Sequence, residues 1–180
     1  MTFVSETLVD GHQWWRIGRA EWMNPLDTSF AQQKGGRWNP PHSYPTLYLN
    51  EDHTTARANM QLFTALWPYE PEDLRPESGP ILVGALLPRH QIVADGHSPA
   101  GVSALGLPGT YPLDAAGAVI AHAVCQPVGV AVRQAGLRGI RCRAARLPVG
   151  AGRELAWFPA TTRSVARVGT VLGFGNWFWA

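Results

Sequence analysis

The chain has 180 residues, of which 46% are hydrophobic and 16% charged, and its formal net charge is +2. This composition suits one domain with a hydrophobic core, and it excludes a disordered segment or a basic nucleic-acid-binding arm. The two cysteines are too few for a disulfide scaffold. The first residues lack the regions of a signal peptide, and the longest apolar runs are too short to span a bilayer. We therefore expect a cytoplasmic, bacterial-type protein that neither enters a membrane nor binds nucleic acid directly.

The N-terminal third predicts a strand, a glycine turn, a second strand and a helix. Aromatic and apolar residues predict a strand at Trp14–Arg19, and turn-forming residues predict a loop at Asp27–Gly36. Thr46–Leu49 predicts a second, shorter strand. Asp52 suits a helix N-cap, because its carboxylate can accept the free N–H groups of the first turn. The helix is predicted to end at Pro68, which cannot continue it.

Four residues of this helix follow the spacing i, i+3, i+4 and i+7, which places them on one face. The spacing predicts that this face is turned inward. The four residues are Asn59, Leu62, Phe63 and Leu66. A polar group on an inward face needs hydrogen-bond partners, so Asn59 is a candidate functional residue.

The middle of the chain predicts a buried strand, a long loop and two helices. Ile81–Leu87 is a continuous apolar run bounded by prolines, as in a buried strand. Asp95–Pro112 is rich in glycine, proline and serine and predicts a lid or flap. Asp114–Val124 predicts a helix. Pro127 then suits the first position of another helix, with Gly136 as its C-terminal stop.

The C-terminal part predicts more strands, at Ile140–Arg146, Leu155–Pro159 and Thr161–Leu172. The aromatic tail 175–180 predicts either a last strand docked on the core or a contact with a partner. Several strands and few helices predict an α+β fold with a mixed or antiparallel sheet, in one domain over residues 1–180.

The turn Gly35–Pro41 and Tyr48 form the most suggestive local pattern. Two glycines permit a tight turn, and the planar guanidinium of Arg37 suits forked hydrogen bonds to phosphate. With a strand and a helix just after it, the turn could hold an anionic, ribose-bearing ligand. The alternative is a structural turn with an exposed arginine.

Other chemical motifs are absent from the sequence. It contains no dinucleotide-binding glycine motif, no Walker A loop and no serine nucleophile elbow. The six histidines show no metal-ligand spacing, so we expect no metal. Cys125 is expected to be a small buried apolar residue rather than a nucleophile.

An ordered set of fragments resembles the RES domain family. The segment Gly35-Gly36-Arg37-Trp38-Asn39-Pro40-Pro41, followed by Leu47-Tyr48-Leu49 and an alanine-rich helix, is similar to the family's first motif. Three further fragments resemble family segments: Trp15–Ile17, Cys125–Ile140 and Arg153–Phe158. The resemblance covers nearly the whole chain in order.

The resemblance implies an ADP-ribosyltransferase-like fold and a toxin that consumes NAD as its substrate. It implies cleavage of the nicotinamide–ribose bond by phosphorolysis, hydrolysis or ADP-ribosyl transfer. It also implies an Xre-type helix-turn-helix antitoxin as partner. A homo- or hetero-oligomer is possible, and the sequence leaves the oligomeric state open.

Matching residues imply roles in the site. Arg16 and Arg37 would contact phosphate or ribose, and Tyr48 would stack on or hydrogen-bond the nicotinamide ribose. The catalytic set is Arg16, Arg37, Tyr48, Asn59 and Glu154. The NAD-binding set is Gly36, Arg37, Trp38, Asn39 and Tyr48. The alternatives are structural roles: Arg16 could be an exposed charge on a strand, and Tyr48 could be an aromatic residue of the core.

Two positions depart from the family pattern. Asn59 stands where the family has a helical glutamate, and Ala144 stands where it has a serine. The chain could therefore be a catalytically lapsed RES domain that binds a nucleotide or a protein. Glu154 stands where the family has an asparagine, so carboxylate and amide could have exchanged places. The alternative is that Glu154 is a solvated strand-edge residue paired with Arg153 or Arg146.

Overall fold

One mixed eight-stranded sheet organises the protein, in the order β1-β5-β6-β7-β3-β2-β4-β8. The computed structural model describes residues 2–75, 77–148, 151–160 and 166–180. β5 and β6 are parallel, and the other neighbouring strands pair antiparallel. The predicted single-domain α+β fold with a mixed sheet is confirmed.

The elements have the following bounds. The strands are β1 (Ser5–Thr7), β2 (Gln13–Arg19), β3 (Leu47–Asn50), β4 (Pro80–Leu86), β5 (Ile92–Gly96), β6 (Gly139–Arg143), β7 (Arg153–Trp157) and β8 (Arg167–Leu172). The α-helices are α1 (Ser29–Lys34), α2 (His53–Thr64), α3 (Pro99–Ala104), α4 (His122–Gln134) and α5 (Phe174–Trp177). A short 3-10 helix covers Pro71–Asp73.

Strands were the best predicted elements. β2, β3 and β4 lie within a residue or so of their predicted bounds, and in β4 Leu82, Val83 and Ala85 are fully buried as a continuous apolar run requires. The short strands β1 and β5 were missed. Of the predicted strand Thr161–Leu172, only β8 is observed, because residues 161–165 lie outside the described part of the chain.

Alternating side chains of the central strands divide between two faces of the sheet. Leu49 of β3 and Leu155 of β7 belong to one core, which also contains Trp14. Tyr48 and Ala156, one position along each strand, belong to the core beneath α3 and α4. A third cluster joins α2 and α5 to β2 and β4.

The inward face predicted for α2 was wrong. Leu62 is 37% exposed and Phe63 56% exposed, whereas the buried residues of the helix are Thr55, Ala56 and Met60. Both sides of this helix carry apolar residues, so periodicity alone could not choose between them. Packing against β2 selected the side with Met60. The predicted N-cap is confirmed, since the Thr55 N–H donates to Asp52 Oδ1 at 2.7 Å.

Two predicted loops contain regular structure. The predicted loop Asp27–Gly36 includes α1, and the predicted lid Asp95–Pro112 includes the end of β5 and α3. Ser98 caps α3 by accepting a hydrogen bond from the Gly101 N–H at 3.0 Å. Val102, in α3, is fully buried, so this segment is part of the core rather than a flap.

The helices predicted after residue 113 were misplaced. Asp114–Val124 is mostly irregular, with a short turn and a β-bridge between Leu113 and Val119, and α4 begins only at His122. Pro127 lies inside α4 rather than at its first position. Gly136 follows the end of α4 with φ 84°, which confirms the predicted stop.

The aromatic tail docks on the core as a helix, α5, and not as a strand. Trp177 is fully buried, and its Nε1–H donates to the Pro80 carbonyl at 3.1 Å. Phe178 is 6% exposed, whereas Trp179 is 53% exposed. Among the described residues, no helix is long and apolar enough to cross a membrane.

Candidate functional site

The candidate site is a cleft that opens where β2 and β3 separate. Within the described ranges, β2 and β3 pair at Trp15 and Asn50 alone, whereas β2 pairs with β4 along all of Gln13–Arg19. The cleft has a volume of about 350 Å³, and Leu62 and Phe63 of α2 form its apolar wall. All of the predicted catalytic side chains line it: Arg16, Arg37, Tyr48, Asn59 and Glu154.

The turn before β3 is held by its own polar groups. The Tyr48 hydroxyl accepts from the Trp38 N–H at 2.9 Å and donates to Asn39 Oδ1 at 2.7 Å. Asn39 Nδ2 donates in turn to the Ala31 carbonyl at 2.6 Å. Trp38 is 1% exposed and Asn39 is fully buried, so the structure places both in the core, and neither lines the cleft.

Gly36 allows the turn to approach Tyr48 closely. A Cβ at Gly36 would overlap the Tyr48 hydroxyl and ring. The glycine is therefore required by packing within the protein, and it does not itself line the cleft. Burial raises the pKa of Tyr48 above its usual value, so its hydroxyl is protonated at neutral pH and available as the donor to Asn39.

Arg37 links the cleft to the core below it. Its Nη1 donates to the Ile120 carbonyl at 3.0 Å. Burial alone would lower the pKa of Arg37, but the neighbouring Tyr111 and Cys125 contribute to a net increase. Arg37 therefore stays charged, and its remaining guanidinium N–H groups can serve a ligand.

Arg16 is held from two sides at the other wall of the cleft. Its Nη1 donates to the Asp27 carbonyl at 2.7 Å, and its guanidinium carbon lies 5.6 Å from the ring centroid of Trp22. Burial lowers the pKa of Arg16, and Asp27 partly opposes that shift. An arginine remains charged throughout the physiological range.

The charges of the cleft favour an anion. Arg16, Arg37 and Arg146 line it, and Glu154 is the one carboxylate among the described residues that do so. This excess of guanidinium groups suits a phosphate-bearing ligand.

Asn59 and Glu154 are in direct contact. Asn59 Nδ2 donates to Glu154 Oε1 at 2.9 Å and to Asn50 Oδ1 at 2.8 Å. Asn50 Nδ2 donates to the Trp15 carbonyl at 3.1 Å, so the network ends on the backbone of β2. Asn59 therefore has the hydrogen-bond partners predicted for it. It lies on the side of α2 that faces the cleft and not on the side that faces the core.

A family model described as the RES domain matches residues 13–174 of the chain. The chain belongs to the RES domain family. The resemblance drawn from the sequence fragments is therefore confirmed.

A solved structure shares the fold of this RES domain. It is the crystal structure of the M. tuberculosis MbcT–MbcA toxin–antitoxin complex, with a TM-score of 0.70 and 21% sequence identity over 99% of this chain and 91% of that chain. At this identity the likeness establishes the fold. No curated protein showed significant similarity.

Ala144, where the sequence resemblance implies a serine, is buried at 1% exposure and does not line the cleft. Its neighbours Ala145 and Arg146 do. The nearby Thr55 hydroxyl is buried without a hydrogen-bond partner among the described residues. A Cβ at Gly152 would touch both Thr55 Oγ1 and Ala144 Cβ, so these side chains lie close together.

The cysteines of this RES domain are unsuited to nucleophilic attack. Cys125 is fully buried, and burial raises the pKa of its thiol despite the nearby Arg37. The pKa of Cys142 is raised to about 12, first by burial and then by the charge of Glu154.

In the part of the chain that the structure describes, one group of side chains outside the cleft could hold a metal, and sequence spacing did not reveal it. His97 Nε2 lies 3.0 Å from Glu6 Oε1 and 3.5 Å from Asp95 Oδ1. Distant segments bring these residues together, so no local motif could have found them. Arg141 donates to Glu6 Oε2 at 2.9 Å and also bonds Glu51, so the group is already part of an ion-pair network.

Proposed function

We propose that this RES domain is an NAD-consuming enzyme of the toxin type that cleaves the nicotinamide–ribose bond. The observation that carries the proposal is the meeting of Arg16, Arg37, Tyr48, Asn59 and Glu154 in one cleft. Membership of the RES family supports NAD as the substrate.

The two half-buried arginines Arg16 and Arg37 suit the pyrophosphate of NAD. Each donates one N–H to a backbone carbonyl, Arg16 to Asp27 and Arg37 to Ile120. These bonds hold the guanidinium groups in place while leaving other N–H groups for phosphate oxygens. Preorganised charge of this kind positions a substrate without reorganisation during the reaction.

The ribose and nicotinamide would lie between the ring of Tyr48 and the pair formed by Asn59 and Glu154. The Tyr48 hydroxyl already bonds Trp38 and Asn39, so its contribution to the ligand is the ring face and the position of the turn. In the reaction the C1′–N bond breaks, and its electron pair leaves with the nicotinamide nitrogen. Water, phosphate or a protein nucleophile then bonds C1′ and gives up its proton.

We further propose that an antitoxin binds this chain. The similar structure is a complex of a toxin with an antitoxin. The partner expected from the family resemblance is an Xre-type helix-turn-helix protein, which would make the cellular form a hetero-oligomer.

The proposal is tested by incubating the purified chain with NAD, with and without phosphate, and separating the products. Loss of NAD that yields ADP-ribose indicates hydrolysis. Loss that requires phosphate and yields a phosphorylated ADP-ribose indicates phosphorolysis. Arg16→Ala should reduce the rate, while the exposed Arg19→Ala serves as the matched control. The absence of NAD loss under both conditions would contradict the proposal.

A second candidate is a lapsed RES domain that binds a nucleotide or a protein. It is favoured by Asn59 and Ala144, which replace the family's glutamate and serine. Calorimetry with NAD and ADP-ribose separates the candidates. Binding without turnover supports this second function, and turnover excludes it.

A further inference from the structure

We infer that Glu154 is the catalytic carboxylate of this chain and that Asn59 is the residue that positions it. The inference rests on the proposed cleavage of NAD. It assigns to strand β7 the negative charge that faces the ribose when the nicotinamide departs.

The fold places Glu154 in the middle of the sheet and not at an edge. β7 lies between β6 and β3, and Glu154 pairs in register with Cys142 of β6 and Asn50 of β3. The next residue, Leu155, is fully buried on the opposite face. Strand alternation therefore directs Glu154 to the cleft. A solvated strand-edge residue, the alternative considered from the sequence, does not fit this position.

Asn59 determines how the carboxylate is held. Its Nδ2 group lies between two acceptors, Glu154 Oε1 and Asn50 Oδ1, and donates to both. Both amide hydrogens are used in this way, which fixes the orientation of the side chain. Among the described residues, no hydrogen bond reaches the second oxygen of Glu154 or the carbonyl oxygen of Asn59, so both can serve a ligand in the cleft.

The carboxylate is not neutralised by the arginines around it. Among the described residues, no arginine of the cleft lies within ion-pair distance of Glu154, and Arg16 and Arg37 donate instead to backbone carbonyls. The negative charge is therefore available to a cation. The other charged residues that line the cleft are arginines, so Glu154 is the one lining group among the described residues whose charge attracts a developing ribose cation.

The chemistry needs a charge at this point. When the C1′–N bond breaks heterolytically, its electrons neutralise the nicotinamide ring nitrogen, and positive charge spreads over C1′ and O4′ of the ribose. A carboxylate fixed beside these atoms stabilises the transition state more than the ground state. The acceptor, water or phosphate, then forms the new C1′–O bond and loses its proton to solvent.

The first test compares the steady-state rates of NAD loss for wild type, Glu154→Gln and the control Glu72→Gln. Glutamine keeps an oxygen that can accept from Asn59 Nδ2, so the variant should fold with an unchanged melting temperature. We expect kcat to fall about 100- to 1,000-fold in Glu154→Gln, as on loss of one preorganised electrostatic partner. NAD binding by calorimetry should not weaken. The exposed Glu72 should have no effect. A Glu154→Gln variant with wild-type kcat would overturn the inference.

The second test does not depend on turnover. An iminoribitol nucleoside, whose protonated ring nitrogen carries charge where the ribose cation would, is titrated into the same proteins. We expect wild type to bind it at least about 30-fold more tightly than Glu154→Gln, as for loss of one partner of a close charge pair. Equal affinities, or no binding to wild type, would overturn the inference. A wild-type chain that consumes no NAD contradicts the proposed function, whereas this titration still decides the role of Glu154.

Discussion

The two ends of the cleft are built differently. At the turn before β3, the Tyr48 hydroxyl bonds the Trp38 backbone, and the Asn39 side chain bonds both Tyr48 and the Ala31 backbone. At the α2 end, Asn59 bonds two other side chains, Asn50 and Glu154. The first end is anchored to backbone within one segment, whereas the second joins three separate elements through side chains.

This difference fits the departures from the family pattern that the sequence resemblance implies. A turn whose polar groups are satisfied by backbone tolerates little substitution, because each change leaves a buried group without a partner. An amide–carboxylate contact between side chains can be made with the two groups in either order. Asn59 and Glu154 are the positions at which the sequence predicted an exchange, and they are in contact at 2.9 Å.

The largest effect should come from reversing that exchange. Glu154→Asn should lower NAD turnover about 100- to 1,000-fold, because the cleft loses its carboxylate. Adding Asn59→Glu restores a carboxylate–amide pair in the opposite order, so the double variant should recover a substantial part of the rate. Steady-state assays of both variants measure this. A double variant no more active than Glu154→Asn would show that the carboxylate and the amide at positions 154 and 59 cannot exchange places.

Arg37→Ala should weaken NAD binding about 10- to 100-fold without unfolding the protein, because hydrogen bonds between charged groups contribute about 1.5–3 kcal/mol. Calorimetry measures the affinity, and circular dichroism checks the fold. Arg19→Ala, a surface arginine paired with Glu21, is the control and should bind normally. Unchanged affinity in Arg37→Ala would mean that this arginine serves only the core contact with Ile120.

Tyr48→Phe tests the rigidity of the turn. It removes the hydroxyl that bonds the Trp38 N–H and Asn39 Oδ1, so the free energy of unfolding should fall by about 1–3 kcal/mol. Urea denaturation gives this value. Tyr69→Phe, at a residue 45% exposed, should leave stability unchanged. A stable Tyr48→Phe protein would contradict the view that this end is held by the Tyr48 hydroxyl.

The smallest effect is expected at Phe63, in the apolar wall of the cleft. Because this side chain is 56% exposed, Phe63→Ser should change the free energy of unfolding by less than about 0.5 kcal/mol. Met60→Ala, on the buried face of the same helix, should cost about 2–5 kcal/mol. Thermal or urea denaturation compares the two. A large loss of stability in Phe63→Ser would show that Phe63 is on the buried face of α2, as the sequence predicted.

Local signals were sufficient for several elements. The apolar run of β4, the cap at Asp52 and the stop at Gly136 depend on neighbouring residues, and all three are confirmed. Signals failed where the context was not local. A proline often occupies the first position of a helix. Pro127 instead lies inside α4, which begins at His122. The fold of Asp95–Pro112 likewise depended on Val102 packing into the core.

The sequence by itself determined the family, the α+β class, the turn that carries Arg37 and the strand that carries Tyr48, because these lie in contiguous motifs. Tertiary structure alone decided that α2 turns Met60 inward and Asn59 toward the cleft, since that choice depends on the surface of β2. It also decided the contact between Asn59 and Glu154, which are 95 residues apart. That contact requires the register of β7 against β3 and the docking of α2. The spacing of residues along the chain predicts neither of these.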